Sequence, residues 1–120
     1  MPATVLIVDD HAAFRSVARR LLQSAGYEVV GEAADGQSAL DAARRLHPQL
    51  VLLDIQLPDL DGCEVSRQLT AHLDAPAVVL ISTRSSADYG PRILACGALG
   101  FVEKNHLSAA TLGSLLGGSH

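Results

Sequence analysis

The chain has 120 residues, enough for one ordinary domain, and 48% of them are hydrophobic, which is ample for a core. Nine basic residues against thirteen acidic ones give a net charge of −4, which argues against direct nucleic-acid binding by this domain. No apolar run approaches the ~20 residues of a membrane span, and the first residues lack a signal-peptide pattern. We therefore expect a cytoplasmic protein without a membrane segment.

Five short apolar segments predict five β-strands. Three of them are continuously apolar rather than alternating, which is typical of strands buried on both faces of a parallel sheet. The five segments, in chain order, are Val5–Val8, Glu28–Glu32, Leu50–Leu53, Val78–Ile81 and Leu99–Val102.

Stretches of helical periodicity follow the strands. The first has apolar residues at helical spacing from Phe14 to Ala25 and is expected to stop at Gly26. The second has such a pattern from Ala39 to Leu46, and Pro48 ends it.

The third helix is predicted to start at Asp61, with Glu64 as the reciprocal partner in a capping box, and to end before Pro76. Its buried side would carry Val65, Leu69 and Leu73.

The last two helices have weaker patterns. We place the fourth near Asp88–Cys96, closed by Gly97, because Pro91 is tolerated in a first turn. The fifth is expected from about His106 to Leu116, with Asn105 as its cap.

This alternation predicts an α/β fold, a single (βα)5 domain with a doubly wound, five-stranded parallel sheet. We assign residues 1–116 to the domain and residues 117–120 to a flexible tail, the start of a linker or an expression scar. Cys63 and Cys96 are too few for a disulfide framework or a metal cluster, so we expect two small buried thiols in a reducing compartment.

Charged and hydroxyl side chains stand where the predicted strands end. Asp9 and Asp10 follow the first strand, Asp54 the third, Ser82 the fourth and Lys104 the fifth. These ends meet at one edge of an open parallel sheet, where such folds bind ligands. Two carboxylates about 4 Å apart repel by roughly 4 kcal/mol at an effective dielectric near 20. The cluster therefore predicts a cation, and its oxygen ligands suit Mg²⁺ or Mn²⁺.

A carboxylate beside such an ion can attack phosphorus. Asp54 stands alone after the central strand and is the predicted nucleophile, whereas Asp9 and Asp10 are the predicted metal ligands. Lys104 and the Ser82 hydroxyl would neutralise the bound phosphoryl group. Thr83 is the alternative to Ser82, but it faces the other side of the strand.

The residues at these positions resemble the receiver domain of two-component response regulators, which has the flavodoxin-like fold. The resemblance spans essentially the whole chain, and its strength lies in the joint order of the motifs. The matching stretches are Val5–His11, Gly31–Gly36, Val51–Gly62, Val79–Ser82 and Gly97–Lys104.

The resemblance implies that a sensor histidine kinase transfers a phosphoryl group to Asp54 with Mg²⁺ present. It adds the backbone carbonyl of Gln56 to the metal ligands and makes Ser82 and Phe101 the switch residues. Gln56 and Arg84 fall where family members tune the lifetime of the phosphoryl group. Phe101 is also explained by core filling alone, and Asn105 departs from the proline that many receivers have after the lysine.

The Asp-Asp-His start and the Gly-Glu-Ala motif resemble the NarL/LuxR-type subgroup. Members of that subgroup carry a C-terminal helix-turn-helix domain that binds DNA, so the resemblance implies a transcriptional regulator. Homodimerisation through the fourth helix, fifth strand and fifth helix is a further expectation. The chain itself is expected to be no enzyme beyond self-phosphorylation from small donors and autodephosphorylation.

Other functions remain as alternatives. A stand-alone receiver and a receiver-fold interaction module that is never phosphorylated both fit the chain length. A haloacid-dehalogenase-type hydrolase would need an aspartate where Gln56 stands. A protein that binds flavin mononucleotide is also disfavoured, because Asp9 and Asp10 would repel the phosphate of that ligand.

Overall fold

The structure, a computed structural model, describes residues 3–72, 74–83 and 95–116. Strands and helices alternate along the described residues as far as the fourth strand, and a 3-10 turn at Lys104–His106 follows the fifth strand and precedes the last helix. The elements are β1 (Thr4–Val8), α1 (Ala12–Ser24), β2 (Glu28–Ala33), α2 (Gly36–Leu46), β3 (Leu50–Asp54), α3 (Gly62–Thr70), β4 (Ala77–Ser82), β5 (Gly100–Glu103) and α4 (Ala109–Leu115).

The five strands form one parallel sheet in the order β2-β1-β3-β4-β5, which confirms the predicted doubly wound fold. The central strands are buried on both faces, as their continuous apolar sequences predicted. Asp54 pairs with Ile81, and Ser82 pairs with Glu103. This register brings the carboxyl ends of β3, β4 and β5 to the same edge of the sheet.

Two apolar cores cover the two faces of the sheet. One contains Leu40 of α2 and Val65 and Leu69 of α3. The other contains Leu22 of α1 and Leu112 of α4. The helices therefore divide between the faces, as the fold class requires.

Asp61 is the N-cap of α3, as predicted, but its expected partner Glu64 acts elsewhere. The Asp61 carboxylate accepts from the backbone N–H of Cys63 at 2.7 Å. Glu64 instead contacts Arg67 at 3.0 Å and Gln68 at 3.2 Å. The predicted capping box was therefore wrong, because Glu64 binds side chains further along its own helix.

The last helix begins three residues later than predicted. Ser108, not Asn105, is the N-cap, and it forms a capping box with Thr111. Asn105 lies inside the 3-10 turn. Most of the predicted fourth helix falls outside the described residues, as do Leu73, Arg84 and the tail 117–120. The described part of the chain includes no helix long and apolar enough to cross a membrane.

The expectation of two free thiols was wrong. Cys63 and Cys96 are buried as predicted, but they are joined in a disulfide. Their Cα atoms lie 5.2 Å apart, within the range that a disulfide spans. The sequence separation of 33 hides this proximity, which arises because α3 packs beside the segment that enters β5.

Candidate functional site

Four side chains converge at the carboxyl edge of the sheet. Asp9, Asp10, His11 and Asp54 each place a ligand atom within 4.8 Å of the others. Asp9 is fully buried and Asp54 is 4% exposed, whereas Asp10 and His11 are exposed. The three carboxylates therefore meet as predicted from the strand ends.

Lys104 supplies the positive charge opposite these acids. Its Nζ lies 2.5 Å from Oδ2 of Asp9 and 3.2 Å from Oδ2 of Asp54. The ammonium also lies 4.6 Å from the centroid of the Phe14 ring, a distance at which a cation is attracted to the ring face. Sequence reasoning placed Phe14 only in the helix pattern and missed this contact.

Burial and charge shift the acidity of the central pair. Burial raises the pKa of Asp54, and the nearby Asp9 charge adds to this, although the Gln56 N–H and Lys104 oppose it. Burial works to lower the pKa of Lys104, but its bond to Asp9 and the charges of both aspartates outweigh that effect and raise it. Lys104 is therefore held as a cation, while the charge on Asp54 is disfavoured.

The loop after β3 orients the Asp54 carboxylate. The backbone N–H of Gln56 donates to Oδ1 of Asp54 at 3.0 Å, and Ile55 N–H donates to the Ile81 carbonyl at 3.0 Å. Gly62 N–H donates to the Ile55 carbonyl at 2.8 Å, and a Cβ at Gly62 would collide with the Asp54 carbonyl oxygen. Only a glycine at position 62 allows α3 to pack this closely against the loop after β3.

The β1–α1 loop is held by side chains that sequence reasoning did not single out. Arg15 donates from Nη1 to the Asp9 carbonyl at 2.6 Å and from Nε to Glu32 at 3.0 Å. Arg19 binds the other oxygen of Glu32 at 2.7 Å. Burial alone would raise the pKa of Glu32, but the two arginines outweigh it and hold that pKa below its ordinary value.

His11 adds a nitrogen to the cluster. Its backbone N–H donates to Oδ1 of Asp9 at 2.8 Å, and its Nδ1 lies 3.2 Å from Asp9 and 3.1 Å from Asp10. The sequence placed His11 next to the acidic pair but gave it no role.

Residues 5–113 match the family model of the response regulator receiver domain. The chain belongs to the response regulator receiver family. The match covers the acidic cluster, Lys104, β2 to β5 and all of β1 except Thr4.

Curated relatives carry receiver domains within longer proteins. The chain is 43% identical over 102 residues to the transcription regulator BvgA of Bordetella pertussis, covering 84% of this chain and 48% of that protein. It is 44% identical over 105 residues to a protein-glutamate methylesterase/protein-glutamine glutaminase of Symbiobacterium thermophilum, covering 86% of this chain and 29% of that protein. The chain therefore spans less than half the length of these relatives.

Solved structures show the same fold. The signal receiver domain of NarL from Mycobacterium tuberculosis is 33% identical, with a TM-score of 0.83 and coverage of 97% of this chain and 98% of that one. A CheX-CheY-BeF3-Mg complex from Borrelia burgdorferi is 26% identical, with a TM-score of 0.84 and coverage of 97% and 87%.

The remaining predicted residues of this receiver domain take distinct positions. Ser82 is the buried last residue of β4, whereas Thr83 is exposed, so the position of Ser82 favours it over its alternative. Phe101 is half-buried against the core formed with α2 and α3. Gln56 is exposed beside Asp54, and Arg84 lies outside the described residues.

The donor set fits a divalent cation. Among the described residues, three carboxylates meet at this edge of the sheet, and the Lys104 ammonium contacts two of them, which leaves an excess of carboxylates. Carboxylate oxygens are hard ligands that suit Mg²⁺ and Mn²⁺, which take one or two carboxylates together with water and phosphate oxygens.

Proposed function

We propose that this receiver domain is a phosphorylation switch whose phosphoacceptor is Asp54. The observation that carries the proposal is a buried carboxylate between Lys104, 3.2 Å away, and the acidic Asp9 and Asp10. Asp9, Asp10, Asp54 and the Gln56 carbonyl would hold Mg²⁺ or Mn²⁺, and the bound ion would neutralise charge on the phosphoryl group.

The donor is proposed to be the phosphohistidine of a sensor histidine kinase. An Asp54 oxygen forms the new bond to phosphorus while the phosphorus–nitrogen bond breaks, and the imidazole leaves with a proton. The Gln56 N–H fixes Oδ1 at 3.0 Å, which presents the carboxylate in one orientation. Lys104 already contacts Oδ2, and this contact supports a role for its ammonium in neutralising charge on the phosphoryl group.

The switch is proposed to pass through β4 and β5. Ser82 at the end of β4 would donate its hydroxyl proton to a phosphoryl oxygen, and Phe101 would repack as Ser82 moves. The surface made by the predicted fourth helix, β5 and α4 would then change its affinity for a partner. Gln56 and Arg84 are proposed to set how fast water removes the phosphoryl group.

We further propose that the domain is the N-terminal part of a cytoplasmic, NarL/LuxR-type transcriptional regulator. The likeness to BvgA and to the NarL receiver domain supports this. A helix-turn-helix output domain and a homodimer through the predicted fourth helix, β5 and α4 belong to the same proposal. The methylesterase relative shows that receiver domains also accompany enzymes, and a stand-alone receiver is the remaining alternative.

Intact-mass measurement tests the assignment. The purified protein is incubated with acetyl phosphate and Mg²⁺, with Asp54→Asn and an EDTA-treated sample as controls. We expect one added phosphoryl group in the wild type and none in either control. An unchanged wild-type mass with acetyl phosphate and with a panel of phosphorylated histidine kinases would support the unphosphorylated interaction module instead.

A further inference from the structure

The Cys63–Cys96 disulfide joins two parts of the domain that border the proposed switch. Cys63 is the second residue of α3, and Cys96 lies four residues before β5. Both belong to the apolar core against which Phe101 packs. The bond therefore ties the helix that follows the Asp54 loop to the segment that enters the strand carrying Phe101.

Non-covalent contacts already hold these two parts together. The Ser66 hydroxyl donates to the Cys96 carbonyl at 2.9 Å, in a buried position. Gly97 has a φ of 78° and lies so close to Thr70 that a Cβ would collide with its hydroxyl. These contacts join the same two parts of the domain that the disulfide joins.

Cys63 lies at the N-terminal end of α3, and the Arg67 guanidinium is 3.9 Å from its sulfur. Helix N-termini and arginines stabilise thiolates, the nucleophiles of thiol chemistry, whereas burial, here to 2% exposure, works against them. The chain has only two cysteines, so an intramolecular disulfide can form only between Cys63 and Cys96.

We propose that Cys63 and Cys96 form a reversible, redox-controlled disulfide that restrains the phosphorylation switch. A receiver meets its kinase in the cytoplasm, where thiols are kept reduced. The bond is therefore an oxidised state of the domain that forms under oxidant stress. The regulatory part of this inference rests on the proposed function of Asp54.

The chemistry balances with a peroxide as oxidant and a small thiol as reductant. The Cys63 thiolate attacks one peroxide oxygen and the oxygen–oxygen bond breaks, which leaves a sulfenic acid on Cys63 and releases hydroxide. A proton converts this hydroxide to water. The Cys96 thiol then displaces water to form the disulfide. Two small thiols reverse it, supplying two electrons and two protons and leaving as their own disulfide.

The bond acts on the switch through the packing around Phe101. The proposed response to phosphorylation repacks Phe101 against this core, and a covalent bond between α3 and the entry to β5 opposes that movement. We therefore expect the oxidised protein to take up phosphate more slowly than the reduced protein.

The test compares one protein in two redox states. The wild type is oxidised with hydrogen peroxide or reduced with dithiothreitol, and the reagent is removed. Free thiols are labelled with iodoacetamide under denaturing conditions and counted by mass spectrometry. A non-reducing gel separates the monomer from disulfide-linked dimers. Phosphate uptake from acetyl phosphate and Mg²⁺ is then timed. The control is the double variant Cys63→Ala, Cys96→Ala, with Cys63→Ser as a second variant should the first not fold.

We expect no free thiols in the oxidised monomer and two in the reduced one, with uptake at least about fivefold faster after reduction, the scale of allosteric coupling. The cysteine variants should show the same rate in both treatments. Two free thiols after peroxide, disulfide-linked dimers, or equal rates in both states would overturn the inference. Absence of uptake in every sample would instead overturn the proposed function, while the thiol count would still decide the disulfide.

Discussion

The Asp54 carboxylate is held in conditions that disfavour its own charge. It is 4% exposed, and burial raises its pKa despite the contact with Lys104. When the pKa of an acid is higher in the folded than in the unfolded state, the protein loses stability as the pH rises through the folded pKa. Ionisation of Asp54 therefore costs folding free energy, as is common at functional sites.

Replacing Asp54 with asparagine should stabilise the protein in the absence of metal. The variant keeps the shape of the side chain and removes the disfavoured charge, so we expect a gain of about 1 kcal/mol in the free energy of unfolding. The urea midpoint at neutral pH measures it. Asp74→Asn, at an exposed position, is the control and should change stability by less than about 0.5 kcal/mol. A loss of stability in Asp54→Asn would contradict this account.

Glu32 has the opposite shift and so the opposite pH dependence. Arg19 and Arg15 lower its pKa from the ordinary 4.5, against the effect of burial. Its stabilising effect is therefore fully present above 4.5 and is lost as the pH falls through the lower folded value. Glu32→Gln should have a lower melting temperature than the wild type at pH 7, and this gap in melting temperature should disappear at acid pH. A gap that stays constant from neutral to acid pH would show that the ion pairs do not cause it.

Helix capping decides where α4 begins. Ser108 donates its backbone N–H to Thr111 at 2.9 Å and accepts from the Thr111 N–H at 3.2 Å. Ser108→Ala should cost about 1 kcal/mol in unfolding free energy, the usual value of an N-cap. Asn105→Ala is the matched control and should cost less than about 0.5 kcal/mol. A larger loss of unfolding free energy from Asn105→Ala than from Ser108→Ala would contradict Ser108 as the N-cap and support the predicted cap at Asn105.

The start of α3 depends on a glycine for close packing. A Cβ at Gly62 would meet the backbone of Asp54 and Ile55, whereas one at Gly113 in α4 would meet nothing within 4 Å. Gly62→Ala should therefore cost about 2 kcal/mol, the scale of overpacking. Gly113→Ala should gain roughly 0.5–1 kcal/mol from reduced chain entropy. Urea denaturation of both variants checks the prediction, and equal shifts in the same direction would refute it.

The helices and strands differ in how well their sequences predict them. Continuous apolar runs in β1, β3 and β4 predicted both the strands and their burial, because a parallel sheet covered by helices requires such runs. Helix starts were predicted less well. A side-chain cap depends on the local backbone, and Glu64 and Asn105 had suitable residue types without the geometry.

The location of the site could be predicted from the parallel arrangement of the strands. Parallel strands bring their carboxyl ends together, so acids and a lysine at successive strand ends predicted one cluster. The pairing of Cys63 with Cys96 and the bridge from Arg15 to Glu32 could not be predicted in this way. Both depend on how helices pack against neighbouring segments, and single positions in the sequence carry no information about that packing.

In the whole molecule, the carboxyl edge of the sheet is the proposed phosphorylation site. Asp9 and Asp10 are the other carboxylates of the cluster, and Asp59 lies in the loop between β3 and α3. A phosphoryl group on any of them would require a different mechanism. The location of the modification is therefore more informative than its presence.

Chemical trapping locates the phosphoryl group directly. The protein is phosphorylated with acetyl phosphate and Mg²⁺, treated with borohydride to reduce the aspartyl phosphate to homoserine, and sequenced by tandem mass spectrometry after trypsin digestion. We predict homoserine at Asp54 and at no other aspartate, and no homoserine when EDTA removes the metal. Homoserine at Asp9, Asp10 or Asp59, or its absence from Asp54 in a phosphorylated sample, would contradict it.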